Sequence, residues 1–222
     1  MKLLRVIALA VAIYGGLAAP VYAADPLADR IQALEPIIGA HPPNIANKKE
    51  WQAVNKRYRV LKTELDQQLA ASPHDLNARF LRGRLQSMGH NFDYPGAWEG
   101  ATHDLQAVLK AEPEHIPALL ALAKLWVNSD PALAPEAEKK FRQAQCLTGQ
   151  TPVEEAQRGL FFAFYYQGKI KEALQQANYL TATWPQTAQY AELANMSRSV
   201  LKRTGGHAET TPPTMTTCDQ AH

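Results

Sequence analysis

Cysteine is nearly missing from this chain, with only Cys146 and Cys218 among 222 residues. That excludes a disulfide scaffold and leaves apolar packing to hold the fold. Beyond residue 23 no apolar run reaches the ~20 residues that a membrane-spanning helix needs. Neither sign of charge is in excess either. The chain carries 23 Lys+Arg and 21 Asp+Glu, and without the first 23 residues, which hold Lys2 and Arg5, it balances at 21 of each. A balanced chain with no long cationic run offers no general electrostatic attraction for nucleic acid. The densest basic stretch, Lys48-Lys49 with Lys56-Arg57-Tyr58-Arg59 and Lys62, reads as a solvated helix face. Also missing are a Gly-rich phosphate loop, a Gly-x-Ser-x-Gly elbow and a His-Glu-x-x-His pair. The acidic residues are scattered at helix-surface spacing, so no catalytic residue, metal site or cofactor is expected. His90, Asp93, His103 and Asp104 are the nearest approach to a ligand set, and nothing in their spacing fixes a common geometry.

What is present begins at the N-terminus. Lys2 and Arg5 precede an apolar run from Val6 to Ala19, and Pro20-Val21-Tyr22-Ala23 sets small residues at the spacing a signal peptidase reads. Residues 1–23 are therefore expected to be a signal peptide cleaved near Ala23, giving a periplasmic or secreted protein.

The rest of the chain repeats. Ala101, Ala137 and Ala173 stand 36 apart. Four residues on come Leu105, Phe141 and Ala177, and seven on come Val108, Ala144 and Leu180. Pro113, Gly149 and Pro185 follow as stoppers. Apolar residues at i, i+4 and i+7 before a breaker describe an amphipathic helix with a fixed end. Another helix precedes each: Ala78, Leu81 and Leu85 with Gly83; Leu119, Leu122, Ala123 and Trp126; Val153, Leu160 and Phe164. Each pair is too thin to bury its own apolar face, so neighbours must stack.

Leu119-x2-Leu122-Ala123-x2-Trp126 followed by Ala137-x3-Phe141 resembles the tetratricopeptide repeat. Leu160 to Phe164, Gly168, Glu172-Ala173 and Pro185 look like the same unit. The first unit departs by a hairpin loop six residues longer, around His90–Pro95, and the third has Ala177 where the family has phenylalanine. The resemblance implies an all-α fold, a right-handed α-solenoid of stacked helical hairpins. Residues 24–75 would form N-terminal helices, 76–185 three repeats, 186–203 a capping helix and 204–222 a disordered tail. Trp51, Tyr58, Leu61, Leu65 and Leu69 mark a long helix before the repeats, and Leu27 to Ile38 a short amphipathic one. Tyr190, Leu193, Ala194 and Val200 mark the cap.

In such an array the first helix of each pair lines a concave groove. Helix geometry splits "FFAFYYQG" at 161–168 accordingly: Leu160 and Phe164 face the core, while Glu155, Arg158, Phe162, Tyr165 and Lys169 form a mixed charged and aromatic stripe. Leu120, Lys124 and Val127, then Phe80 and Arg84, hold the matching places upstream. All of these but Lys169 make up the expected partner-binding surface, with Phe92 and Tyr94 as loop contacts. Cys146 falls on the face opposite Ala137, Phe141 and Ala144, beside Lys139 and Arg142. A Cys146–Cys218 bridge, free thiols and an intermolecular bond all stay open.

The expectation is a non-catalytic adaptor that holds a protein or peptide in its groove. An assembly chaperone for cytochrome c maturation, outer-membrane or secretion components is the alternative. Self-assembly into homo-oligomers is a third class that no residue indicates.

Overall fold

The computed structural model describes residues 26–205 and Met215; the expected signal peptide and nearly all of the expected tail lie outside the described residues. Those described are helical, and no strand occurs among them. Two short helices, α1 (Pro26–Gln32) and α2 (Glu35–Ile38), lead into the long α3 (Lys48–Ala71). Three pairs follow: α4 (Leu76–Asn91) with α5 (Ala97–Ala111), α6 (Ile116–Ser129) with α7 (Ala134–Leu147), and α8 (Glu154–Tyr166) with α9 (Ile170–Thr183). The last helix among the described residues is α10 (Ala188–Arg203), inside the segment expected to cap the chain.

Local chemistry sets these boundaries. Asn47, Asp75 and His115 accept a hydrogen bond from the backbone N–H three residues on, capping α3, α4 and α6. The stoppers Pro113, Gly149 and Pro185 lie two residues past the ends of α5, α7 and α9. Gly149 takes the left-handed φ of 59°, which a side chain would disfavour.

Packing follows the repeat. All nine residues of its three rows, from Ala101 through Leu180, are at most 1% exposed. Each helix rests on the next from α3 to α10, and α4 also touches α6 and α6 touches α8. The two helices of the first pair approach closely because Gly83 has no side chain. A Cβ there would lie 2.8 Å from Leu105 Cγ.

Three local expectations need correction. The segment 27–38 forms two helices, because the chain turns at Ala33-Leu34. Helix α4 runs on through His90 and Asn91, so the long hairpin connection starts only at Phe92. Trp51 does lie on the expected long helix, 46% exposed and stacked on Phe92 at 5.3 Å, while that helix buries Val54, Tyr58, Leu61, Leu65 and Leu69. Arg142 does not share an outer face with Lys139. It is buried, paired with Glu138 at 2.8 Å and set over the Phe164 ring. Gln167 and Lys169 reach the other Glu138 oxygen at 2.7 and 3.1 Å, closing that side of the helix. Burial alone would push the Glu138 carboxyl up, but the hydrogen bonds from Gln167, Arg142 and Lys169 prevail and hold it below its ordinary value.

A second buried charge ties the first pair together. Asp104, fully buried on α5, accepts from Arg82 at 2.6 and 2.8 Å, from Arg79 at 3.3 Å and from Gln86 at 3.0 Å, all on α4. Arg82 reaches on to Asp66 of α3 at 3.0 Å, so three successive helices share one ionic network.

Candidate functional site

Two adjoining recesses run along the first helices of the pairs. The smaller, about 280 Å³, includes Phe80, Arg84, Leu120, Lys124 and Glu155 in its wall. The larger, about 760 Å³, includes Lys124, Val127, Glu155, Arg158 and Phe162. Eight of the nine expected groove residues therefore meet in two adjoining hollows, with Lys124 and Glu155 common to both. Leu120 and Val127 are almost wholly buried, at 8% and 3% exposed, and form floor rather than free surface.

Tyr165 is the exception. It stacks on Phe161 at 6.0 Å and touches neither hollow, and the ring that enters the larger one is Tyr166, 43% exposed. The row Arg158, Phe162, Tyr166 advances by four residues, about 40° of drift per step. A step of three to Tyr165 swings back about 60°. The i+4 row was the better guide to this wall. Lys169, the far end of the expected stripe, pairs with Glu138 instead.

Phe92 and Tyr94 are spent on packing. Phe92 is 8% exposed beneath Trp51, and Tyr94 stacks on Tyr58 at 4.2 Å with its hydroxyl donating to Asn55. Phe92 does edge a separate shallow recess with Pro43, Ile45 and Trp51. Cys146 is half-buried and disulfide-bonded, and Cys218 lies outside the described residues.

The N-terminal arm, α1 and α2, supplies the wall that local pattern did not reveal. Its Ile31, Leu34 and Ile38 are fully buried in the cluster formed by α3 and α4. Arg30 grips Glu64 of α3 through two contacts of 2.6 and 2.9 Å, and Asn91 donates to the Ile38 carbonyl at 3.0 Å. This anchoring delivers Glu35 to the boundary between the hollows. There it pairs with Arg84 at 2.6 Å and Lys124 at 3.3 Å, while Arg84 also donates to Gln32 at 2.8 Å. Burial pushes the Glu35 carboxyl up, but the charges of Lys124 and Arg84, helped by their hydrogen bonds, outweigh it and leave it below the ordinary carboxylate value.

Across the larger hollow stand Arg158 and Glu155 of α8, His41 beyond the arm, and Gln189 and Leu193 of α10. Arg158 makes no ion pair among the described residues. Exposed aromatic surface, an aliphatic floor and charges of both signs make a lining suited to an extended segment with apolar and charged side chains. No helix among the described residues is long and apolar enough to cross a membrane. No protein-family model, curated protein or solved structure matches the chain.

Proposed function

We propose that this protein is a non-catalytic, tetratricopeptide-like adaptor, exported to the periplasm, that holds a segment of a partner protein along the first helices of its stacked pairs. The helical pairs would be turns of a right-handed solenoid and the two hollows its concave groove. Supporting that arrangement, α4 touches α6 and α6 touches α8, as first helices of successive repeats do. The observation that carries the function is the larger hollow. Side chains from the arm, α6, α8 and α10 converge on about 760 Å³ of space, within the usual range of ligand sites. Phe162 and Tyr166 would anchor apolar side chains, while Arg158 would meet an acidic group.

The test is a double variant, Phe162→Ala with Tyr166→Ala, used as bait in periplasmic extract beside the parent protein. Loss of a co-purifying protein at unchanged helicity supports the groove. An identical set of captured proteins removes it.

A further inference from the structure

We propose that Glu35 is a built-in occupant of the cation pair Arg84–Lys124, and that an acidic group on the partner segment binds by taking those two cations from it. The proposal rests on the adaptor reading and adds to it what guards the groove and which partner chemistry opens it.

The pairing is a meeting of three separate elements. Arg84 belongs to α4, Lys124 to α6 and Glu35 to the arm, 49 and 89 residues away in the chain. Two cations presented side by side from neighbouring helices make a site for a carboxylate, and here the chain's own carboxylate fills it. Glu35 also walls both hollows. Moving its side chain aside would join the smaller hollow to the larger at the point where the cations stand.

The arm is built so that this contact can change without the arm leaving. Its hold on the body comes from Ile31, Leu34 and Ile38, from the Arg30–Glu64 pair and from the Asn91 bond to Ile38, none of which involves the Glu35 side chain. Three fully buried aliphatic side chains would have to be returned to water, so undocking the whole arm is the expensive route. Swinging one carboxylate is the cheap one. The Glu35 side chain keeps 34% of its surface in water, and Arg84 and Lys124 keep 23% and 29%. This partial exposure leaves the contact open to exchange for an equivalent anion.

Charge complementarity specifies the newcomer. With Glu35 in place, Arg84, Lys124 and Arg158 face Glu35 and Glu155. With Glu35 displaced, three cations face Glu155 alone, and an acidic side chain or terminal carboxylate restores the balance. A neutral segment gains nothing from displacing Glu35 and a basic one is repelled.

The test uses the full chain and two synthetic peptides, acetylated and amidated Leu-Glu-Phe-Glu-Leu-Ile and its twin with Gln for both Glu. Titrations compare the parent with Glu35→Gln, which keeps the side-chain shape and removes the charge, and with Glu35→Ala as a second variant. The acidic peptide is expected to bind Glu35→Gln about tenfold more tightly than the parent, since its carboxylate no longer competes for two charged donors. The Gln peptide should not distinguish the two proteins, and adding Arg84→Gln should erase the gain. Equal affinity of the acidic peptide for parent and both variants, or no binding to any of them, overturns the gate. Introducing Phe162→Ala separates this failure from that of the adaptor reading. If binding is insensitive to Glu35 but lost with Phe162→Ala, the groove stands and only the gate falls.

Discussion

The Tyr190 hydroxyl donates to the Glu154 carboxylate at 2.5 Å, fastening the start of α10 to the start of α8. Tyr190 is 1% exposed and meets the Trp184 ring at 6.4 Å. Burial first, then the bond to Glu154 and its charge, push the phenol from 10.0 up to about 12. A folded-state value above the unfolded one means stability fully present below pH 10 and lost as pH rises toward 12. Tyr190→Phe should therefore lower stability by about 1 kcal/mol at neutral pH and flatten the alkaline fall of the parent. Urea unfolding at pH 8 and pH 11 checks both, and an equally steep alkaline loss in the variant would refute the assignment.

Glycine at 159 sets the spacing of α7 and α8. A Cβ at that position would run into the Phe141 ring, itself 1% exposed. Helix propensity alone favours Gly159→Ala by about 1 kcal/mol, whereas overpacking a core costs about 1–3 kcal/mol. Because the obstacle is a buried aromatic ring rather than the end of a flexible side chain, the steric effect should win and the melting temperature should fall. Adding Phe141→Leu to Gly159→Ala should recover part of the loss. A rise in melting temperature for Gly159→Ala alone would show that the ring can move.

Periodicity in one dimension carried the fold a long way. The alanines at 101, 137 and 173 announced helices whose inner faces are all buried, because close helix contact needs small residues at fixed intervals. The same arithmetic placed Arg142 outward, since it reports an angle about one helix and nothing about what covers that angle. Helix α8 and the turn after it cover this one, through Phe164, Gln167 and Lys169. The lining of the two hollows was legible on α4, α6 and α8 for the same reason as the core. Its fourth side was not. Glu35 and Arg84 lie 49 residues apart, and no local pattern links a one-turn helix to the surface on which it folds back.

Asp104 should be the costliest polar residue to remove. With Asp104→Ala, Arg82 keeps only its Asp66 contact, and Arg79 and Gln86 lose their shared acceptor. Stripping one member from a buried ionic cluster costs about 3–5 kcal/mol, and the remaining Asp66 contact argues for the lower end. Asp104→Asn, which keeps an acceptor but not the charge, should cost less. Denaturant titration ranks the two, and a loss below that of Tyr190→Phe would show the network to be dispensable.

Glu35 itself can be titrated where it sits. Burial acts against its charge and the two cations act for it, and the cations prevail. Its carboxyl signal in a carbon-detected NMR titration should therefore have a midpoint below the ordinary 4.5. Arg84→Gln and Lys124→Gln should each raise that midpoint. Together they leave burial nearly unopposed and should carry it above 4.5, with Glu155 across the hollow adding to the rise and Arg158 and His41 partly countering it. By linkage, a depressed folded value means a contact at full strength above pH 4.5, weakening only as pH falls through the lowered midpoint. The gate should thus hold at neutral pH and respond there to a competing carboxylate, with acid loosening it only well below neutrality. A parent midpoint at or above 4.5 would mean that Arg84 and Lys124 do not hold Glu35 in solution, and the cations would then stand open to any anion without competition.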